Sequence, residues 1–179
     1  MGSTVVLIHF NPWIPDQALV CHVGDSPMFC LRNGELFRLT RDHSVSEELK
    51  AKHIPLKTVS DKMAKALTRV VGAERLLVPE WQTVSVCPGD LFLLSSDGVT
   101  AVMSDSDIEA ALTQTNDLQE TLEAMAAQVL AGGAPDNFTM VCVRVAAELP
   151  QPPTVEDWEK EESDLLMKVA EERKDYGNF

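Results

Sequence analysis

Apolar residues fall along this chain in short blocks separated by polar turns, the spacing of strands rather than of long helices. Thr4–Phe10, Ala18–Gly24, Met28–Arg32, Glu35–Leu39, Thr83–Cys87, Asp90–Ser96 and Phe138–Val145 read as strands, and several are rich in β-branched residues. Asn33-Gly34 separates the third from the fourth and supplies the two positive φ angles of a type I′ hairpin. Pro88-Gly89 suits the central positions of a type II turn, so Thr83–Cys87 and Asp90–Ser96 are predicted to be antiparallel neighbours. A helical period takes over at Val45–Lys52, where Ser44 and Glu47 have capping-box spacing. It returns at Ser104–Thr113, with Ile108, Ala111 and Leu112 on one face, and at Asp117–Ala131, with Leu118, Leu122, Met125 and Val129. The last helix is predicted to stop at Gly132-Gly133, and the two apolar stripes to pack over one sheet.

The run Leu91-Phe-Leu-Leu-Ser-Ser-Asp97-Gly98 turns the question from fold to chemistry, because a buried strand there ends on an acid. An Asp-Gly turn is common after any core strand. A second acid, Asp136, precedes the Phe138 strand, and antiparallel pairing of that strand with the Leu91 strand would bring Asp97 and Asp136 to one sheet edge. Asp25 would join them if the Phe138 strand lay between the Ala18 and Leu91 strands. Carboxylates gathered in this way call for neutralisation, and hard divalent cations such as Mg²⁺ or Mn²⁺ take oxygen ligands of this kind.

Gly24-Asp-Ser26, Leu39-Thr-Arg-Asp-His-Ser44, Leu67-Thr-Arg-Val-Val-Gly72, Pro88-Gly-Asp-Leu-Phe-Leu-Leu-Ser-Ser-Asp-Gly98 and Asp136-Asn-Phe-Thr139 stand in the order and approximate spacing of the bacterial form of the protein phosphatase 2C (PPM) family. The chain resembles the C-terminal part of that catalytic domain over about residues 2–146. The resemblance implies an α+β fold, a layered αββα sandwich of two antiparallel sheets flanked by helices and incomplete at the N-terminus. It implies a serine/threonine phosphatase that attacks the phosphoester with metal-activated water, with Mg²⁺ or Mn²⁺ as cofactor. Asp97 and Asp136 match the family's metal ligands, Asp25 the acid of an additional metal site, and Gly98, Asn137 and Ser26 the supporting positions. The acidic front motif and the Asp-Gly-x-Gly-Gly motif with the bridging aspartate are not among these residues, and Pro27 stands where the family usually has arginine. A truncated catalytic domain of low activity is the expectation; a pseudophosphatase or phosphoprotein-binding module is the alternative.

Length and charge restrict the remaining choices. The 179 residues suit one domain with a tail, divided as residues 1–147 and a linker and acidic helical tail over 148–179. With 15 basic and 28 acidic residues the formal charge is −13, which excludes nonspecific attraction to nucleic acid or to an anionic membrane surface. Cys21, Cys30, Cys87 and Cys142 lie in predicted strands without paired spacing and read as reduced core thiols, in keeping with a cytoplasmic protein. No apolar run is long enough for a span or signal peptide. His9 and His22 read as strand residues with satisfied nitrogens, and His43 as a loop anchor. The lysine-rich segment His53–Ala66, with His53, Pro55 and Lys57, corresponds to the family's flap: either a solvated face or a surface that meets phosphorylated partners. Phosphoserine and phosphothreonine proteins, a kinase or its substrates among them, are the implied partners. Strand edges left open predict self-association. In the tail, Trp158, Leu165 and Val169 are placed to share one helical face.

Overall fold

A computed structural model describes residues 2–73, 77–149, 151–160 and 163–164. Strands β1 (Val5–Phe10), β2 (Gln17–Val23) and β5 (Glu80–Ser85) form one antiparallel sheet in the order β1-β2-β5. Strands β3 (Met28–Arg32), β4 (Glu35–Arg38), β6 (Leu91–Ser95) and β7 (Met140–Arg144) form a second, ordered β4-β3-β6-β7. The Asn33-Gly34 hairpin is present, with φ of 53° and 82° and Arg32 opposite Glu35.

The sheets face each other across Ala18, Cys30, Val86 and Phe92, with Ile8, Leu39, Val84 and Val143 packed around them. Alternation along the second sheet sends Phe29, Leu91 and Leu93 to the other side. There they meet Ile108 and Leu112 of α4 (Asp105–Gln114) and Met125 and Val129 of α5 (Leu118–Ala131). The predicted stripes are therefore core, and Ser104 starts α4 through a capping box with Asp107. Helix α5 ends at Gly132, followed by Gly133 at φ 92°. The shorter α1 (Val45–Ala51) is capped by Ser44 alone, because the Glu47 carboxylate turns to Lys50 at 2.5 Å and to Arg41. On the outer face of the first sheet, Val5 and the cross-strand partners of Cys21, Leu7 and Trp81, remain exposed.

Two strand partnerships differ from those predicted. Strand β2 does not adjoin β7 but lies between β1 and β5 in the first sheet. The Thr83 and Asp90 runs are not neighbours either, since β5 pairs β2 while β6 pairs β3 and β7. Pro88-Gly89 does form the turn, with Gly89 at φ 84° and Asp90 N–H donating to Cys87 O at 3.1 Å. The turn passes the chain from one sheet to the other instead of closing a hairpin, because Asp90 is engaged by Arg32 of the second sheet at 2.6 Å.

In the tail, residues 155–160 are helical behind Thr154, whose hydroxyl accepts from Asp157 N–H at 3.2 Å. Leu165 and Val169 lie outside the described residues. No helix of the described residues is long and apolar enough to cross a membrane.

Candidate metal-binding acidic edge

Strands β6 and β7 pair antiparallel with Ser95 opposite Met140, so the end of one lies beside the start of the other as predicted. The pairing continues past both strands: Ser96 N–H donates to Thr139 O, and Thr139 N–H donates to Ser96 Oγ, both at 3.0 Å. Asp97 does not sit in a simple turn; it opens the short helix α3 (Asp97–Thr100). Gly98 is buried against the segment that carries Asp136, and a Cβ at this position would collide with the Asn137 carbonyl oxygen. Asn137 thus meets Gly98 through its backbone, while its own N–H donates to Asp136 Oδ1 at 2.7 Å.

Asp25 reaches this edge by a different route from the one its sequence suggests. The Gly24–Pro27 connection steps from the first sheet to the second, and Ser95 N–H donates to Pro27 O at 3.0 Å. That bond seats the turn against the end of β6, two residues before Asp97. Gly24 makes the turn at φ 102°, and a side chain there would also strike Thr4. Ser26 is buried and shares a hydrogen bond of 2.8 Å with the Thr4 hydroxyl.

Asp25 and Asp97 also act on each other electrostatically. Burial pushes the Asp25 carboxyl above its usual range, and the neighbouring Asp97 charge pushes it further in the same direction. A cation held between them would relieve both effects, and the donors are the carboxylate oxygens that Mg²⁺ and Mn²⁺ prefer. Asp97 and Asp136 are exposed and Asp25 is half-buried, so their oxygens are accessible to an ion. The three carboxylates do not close into one cluster. Among the described residues, the group whose donor atoms all lie within 4.8 Å of one another is His22, His43 and Glu80.

That second cluster was not legible in the sequence, because it depends on the pairing of β2 with β5, which sets His22 opposite Glu80. His22 and His43 stack with ring centroids 4.5 Å apart. Gly24 N–H donates to His43 Nδ1 at 3.1 Å, which leaves the proton of the neutral ring on Nε2, 3.2 Å from Glu80 Oε2. His22 Nε2 faces the Arg41 carbonyl at 2.8 Å, and because a carbonyl only accepts, this nitrogen is the donor. A metal on His43 Nε2 would have to displace the proton that Glu80 accepts, so these hydrogen bonds oppose ligation there. The expected anchoring role of His43 is present.

The candidate flap segment is more structured than its composition implied. His53 adopts φ 55°, Pro55 precedes a 3₁₀ turn over Leu56–Thr58 that contains Lys57, and Ser60 caps helix α2 (Asp61–Ala64). All three candidate flap residues are exposed. Val45 N–H donates to Ala66 O and Thr68 N–H to His43 O, which closes the base of the flap on the segment that carries His43.

Two facing antiparallel sheets, a helix pair behind one of them and aspartates on the connections at one end define an α+β domain of the protein-phosphatase kind. Residues 1–146 match the family model described as Stage II sporulation protein E (SpoIIE). The chain is 32% identical over 150 residues to protein phosphatase PhpP of Streptococcus pneumoniae, covering 83% of this chain and 60% of that protein. It superimposes on PppA, a regulatory component of the type VI secretion system in Pseudomonas aeruginosa, with TM-score 0.70 and 34% identity over 80% of this chain and 57% of that one. It also superimposes on the catalytic domain of the serine/threonine protein phosphatase PstP in complex with two manganese ions, with TM-score 0.67 and 29% identity over 81% of this chain and 60% of that one. The chain belongs to the protein phosphatase 2C (PPM) family. It spans about three-fifths of the length of PhpP.

Proposed function

We propose that residues 1–147 form the metal-binding part of a protein serine/threonine phosphatase domain, and that residues 148–179 are its linker and acidic tail. The observation that supports this reading is that the Asp25 turn is seated on the end of β6 by Ser95 N–H to Pro27 O, with the Asp136 segment fastened to the same strand end through Ser96 Oγ. Asp97, Asp136 and Asp25 would hold Mg²⁺ or Mn²⁺, which supplies an acidified water and offsets phosphoryl charge. The chain's own contribution is positioning: Gly98 admits the Asn137 backbone, and Ser96 ties Thr139 to the end of β6. Ser95 is not a nucleophile here, because its hydroxyl is buried behind the edge. The substrates are phosphoserine and phosphothreonine proteins, in a bacterial signalling context that includes a kinase or its targets. The four free thiols support a reducing, cytoplasmic setting. Exposed Val5, Leu7 and Trp81 support self-association through the first sheet.

Two observations favour a second reading, phosphopeptide binding without turnover: the three carboxylates do not close into one cluster, and Pro27 supplies no charge beside them. The test is hydrolysis of 4-nitrophenyl phosphate and of a phosphothreonine peptide with and without Mn²⁺. Negligible turnover by residues 1–179 alone is expected, and metal-dependent turnover once a family front segment is joined ahead of Gly2. A peptide that binds but stays intact in both forms selects the second reading.

A further inference from the structure

His43 and Gly24 exchange two hydrogen bonds although 19 positions separate them: Gly24 N–H donates to His43 Nδ1 at 3.1 Å, and His43 N–H donates to Gly24 O at 2.9 Å. Gly24 is the residue immediately before Asp25, and its φ of 102° sets the direction in which the Asp25 backbone leaves β2. On the other side of the ring, Nε2 lies 3.2 Å from both Glu80 Oε2 and Arg69 Nη1, and Arg69 is 3.8 Å from the same carboxylate oxygen. His22 covers one face of the ring by stacking. His43 is thus buried and held at both nitrogens and on one face, more constraint than a loop anchor requires.

We propose that His43 is a positioning residue for the Asp25 carboxylate: fixed as the Nδ1-acceptor tautomer by Gly24 and Glu80, it clamps the turn that presents Asp25 beside Asp97. The assignment of the tautomer rests on the Gly24 N–H, which cannot accept, and on the Glu80 carboxylate, which cannot donate; Arg69 Nη1, a donor beside Nε2, competes with it, which is why the tautomer is measured directly. The role for cation binding rests on the reading of Asp25 as a ligand. A ligand's direction matters to a metal site as much as its identity, and loss of a supporting hydrogen bond commonly weakens metal binding by about tenfold to a hundredfold. Asparagine can place its side-chain oxygen close to the position of Nδ1, whereas glutamine reaches toward the position of Nε2, so the two substitutions separate the Gly24 contact from the Glu80 contact.

The experiment uses the whole chain and two readouts. Nitrogen-15 NMR of the histidine side chains in the wild type reports the tautomer directly; a neutral His43 ring protonated on Nε2 is expected, and a proton on Nδ1 overturns the proposal even if no variant folds. Calorimetric Mn²⁺ titration then compares the wild type with His43→Asn, His43→Gln and Asp25→Asn, each checked for a cooperative melt. The expected pattern is affinity within about threefold of wild type for His43→Asn and a loss of about tenfold or more for His43→Gln and Asp25→Asn. Equal losses in His43→Asn and His43→Gln overturn the positioning role. Unchanged affinity in Asp25→Asn removes Asp25 from the cation site, and with it the role of His43 in metal binding, while the tautomer measurement remains decisive for the clamp itself.

Discussion

Arg32 grips Asp90 with both prongs of its guanidinium: Nε meets Oδ1 at 2.8 Å and Nη2 meets Oδ2 at 2.6 Å. The same guanidinium reaches Ser85 Oγ at 3.1 Å and Ser85 O at 2.9 Å, which joins β3 of one sheet to β5 of the other. Asp90 is 1% exposed and also accepts from Cys87 N–H at 2.8 Å, so its removal would leave a partly buried guanidinium and a turn amide without their acceptor. Asp90→Ala is expected to destabilise the fold by about 3 kcal/mol in urea unfolding, the range seen when a buried pair loses one partner. A loss below about 1 kcal/mol would mean that the pair behaves as an exposed one.

Gly98 joins the two halves of the acidic edge by having no side chain. A methyl group there meets the Asn137 carbonyl and the Phe138 Cβ, and the carbonyl belongs to backbone that cannot swing aside as a flexible side chain could. Gly98→Ala is expected to cost about 2 kcal/mol by overpacking and to weaken Mn²⁺ binding by moving Asp136 away from Asp97. Unchanged melting together with unchanged Mn²⁺ affinity would contradict this close approach.

Burial pushes His43 below the ordinary histidine range, and the His22 and Arg69 charges push the same way, against the hydrogen bond His43 donates to Glu80. With the folded value depressed below the unfolded value of about 6.5, the unfolded chain takes up the proton first. The associated stability is complete above that unfolded value and is lost as pH falls through it toward the folded pKa. Urea midpoints measured from pH 8 to 5.5, above the ordinary carboxylate range, are expected to decline below pH 7, with a shallower decline in His43→Asn. Identical slopes in the two proteins would assign the effect to other groups.

Burial also pushes the Cys30 and Cys142 thiols up to about 11. At pH 8 about one such thiol in a thousand is ionised, and only the thiolate reacts rapidly. Alkylation of the native chain followed by peptide mass spectrometry is expected to leave both unlabelled under conditions that label them after unfolding. Native labelling at the unfolded rate would show that these strands open.

Much of this architecture was legible in the sequence because the signals are local. The Asn33-Gly34 hairpin follows from the φ angles those residues favour, and α4 and α5 follow from apolar spacing that matches their buried faces. The pairing of β6 with β7 meets the condition under which Asp97 and Asp136 come to one edge, a condition that no local signal in either strand establishes. The partition of strands between sheets was not legible. A buried run such as Ala18–Gly24 identifies a strand without identifying its neighbour, and the turn at Pro88-Gly89 has the same local geometry whether or not it closes a hairpin. The His43 clamp escaped for the same reason, since its partners Gly24 and Glu80 lie 19 and 37 positions away.

The central claim is that the carboxylates on this edge bind a divalent cation, and calorimetric titration of Mn²⁺ into the whole chain tests it most directly. The wild type is expected to bind weakly, with a higher melting temperature in the presence of the ion because the ion binds the folded state. Asp97→Ala combined with Asp136→Ala is expected to abolish both effects. The same affinity in the wild type and the double variant would contradict the account.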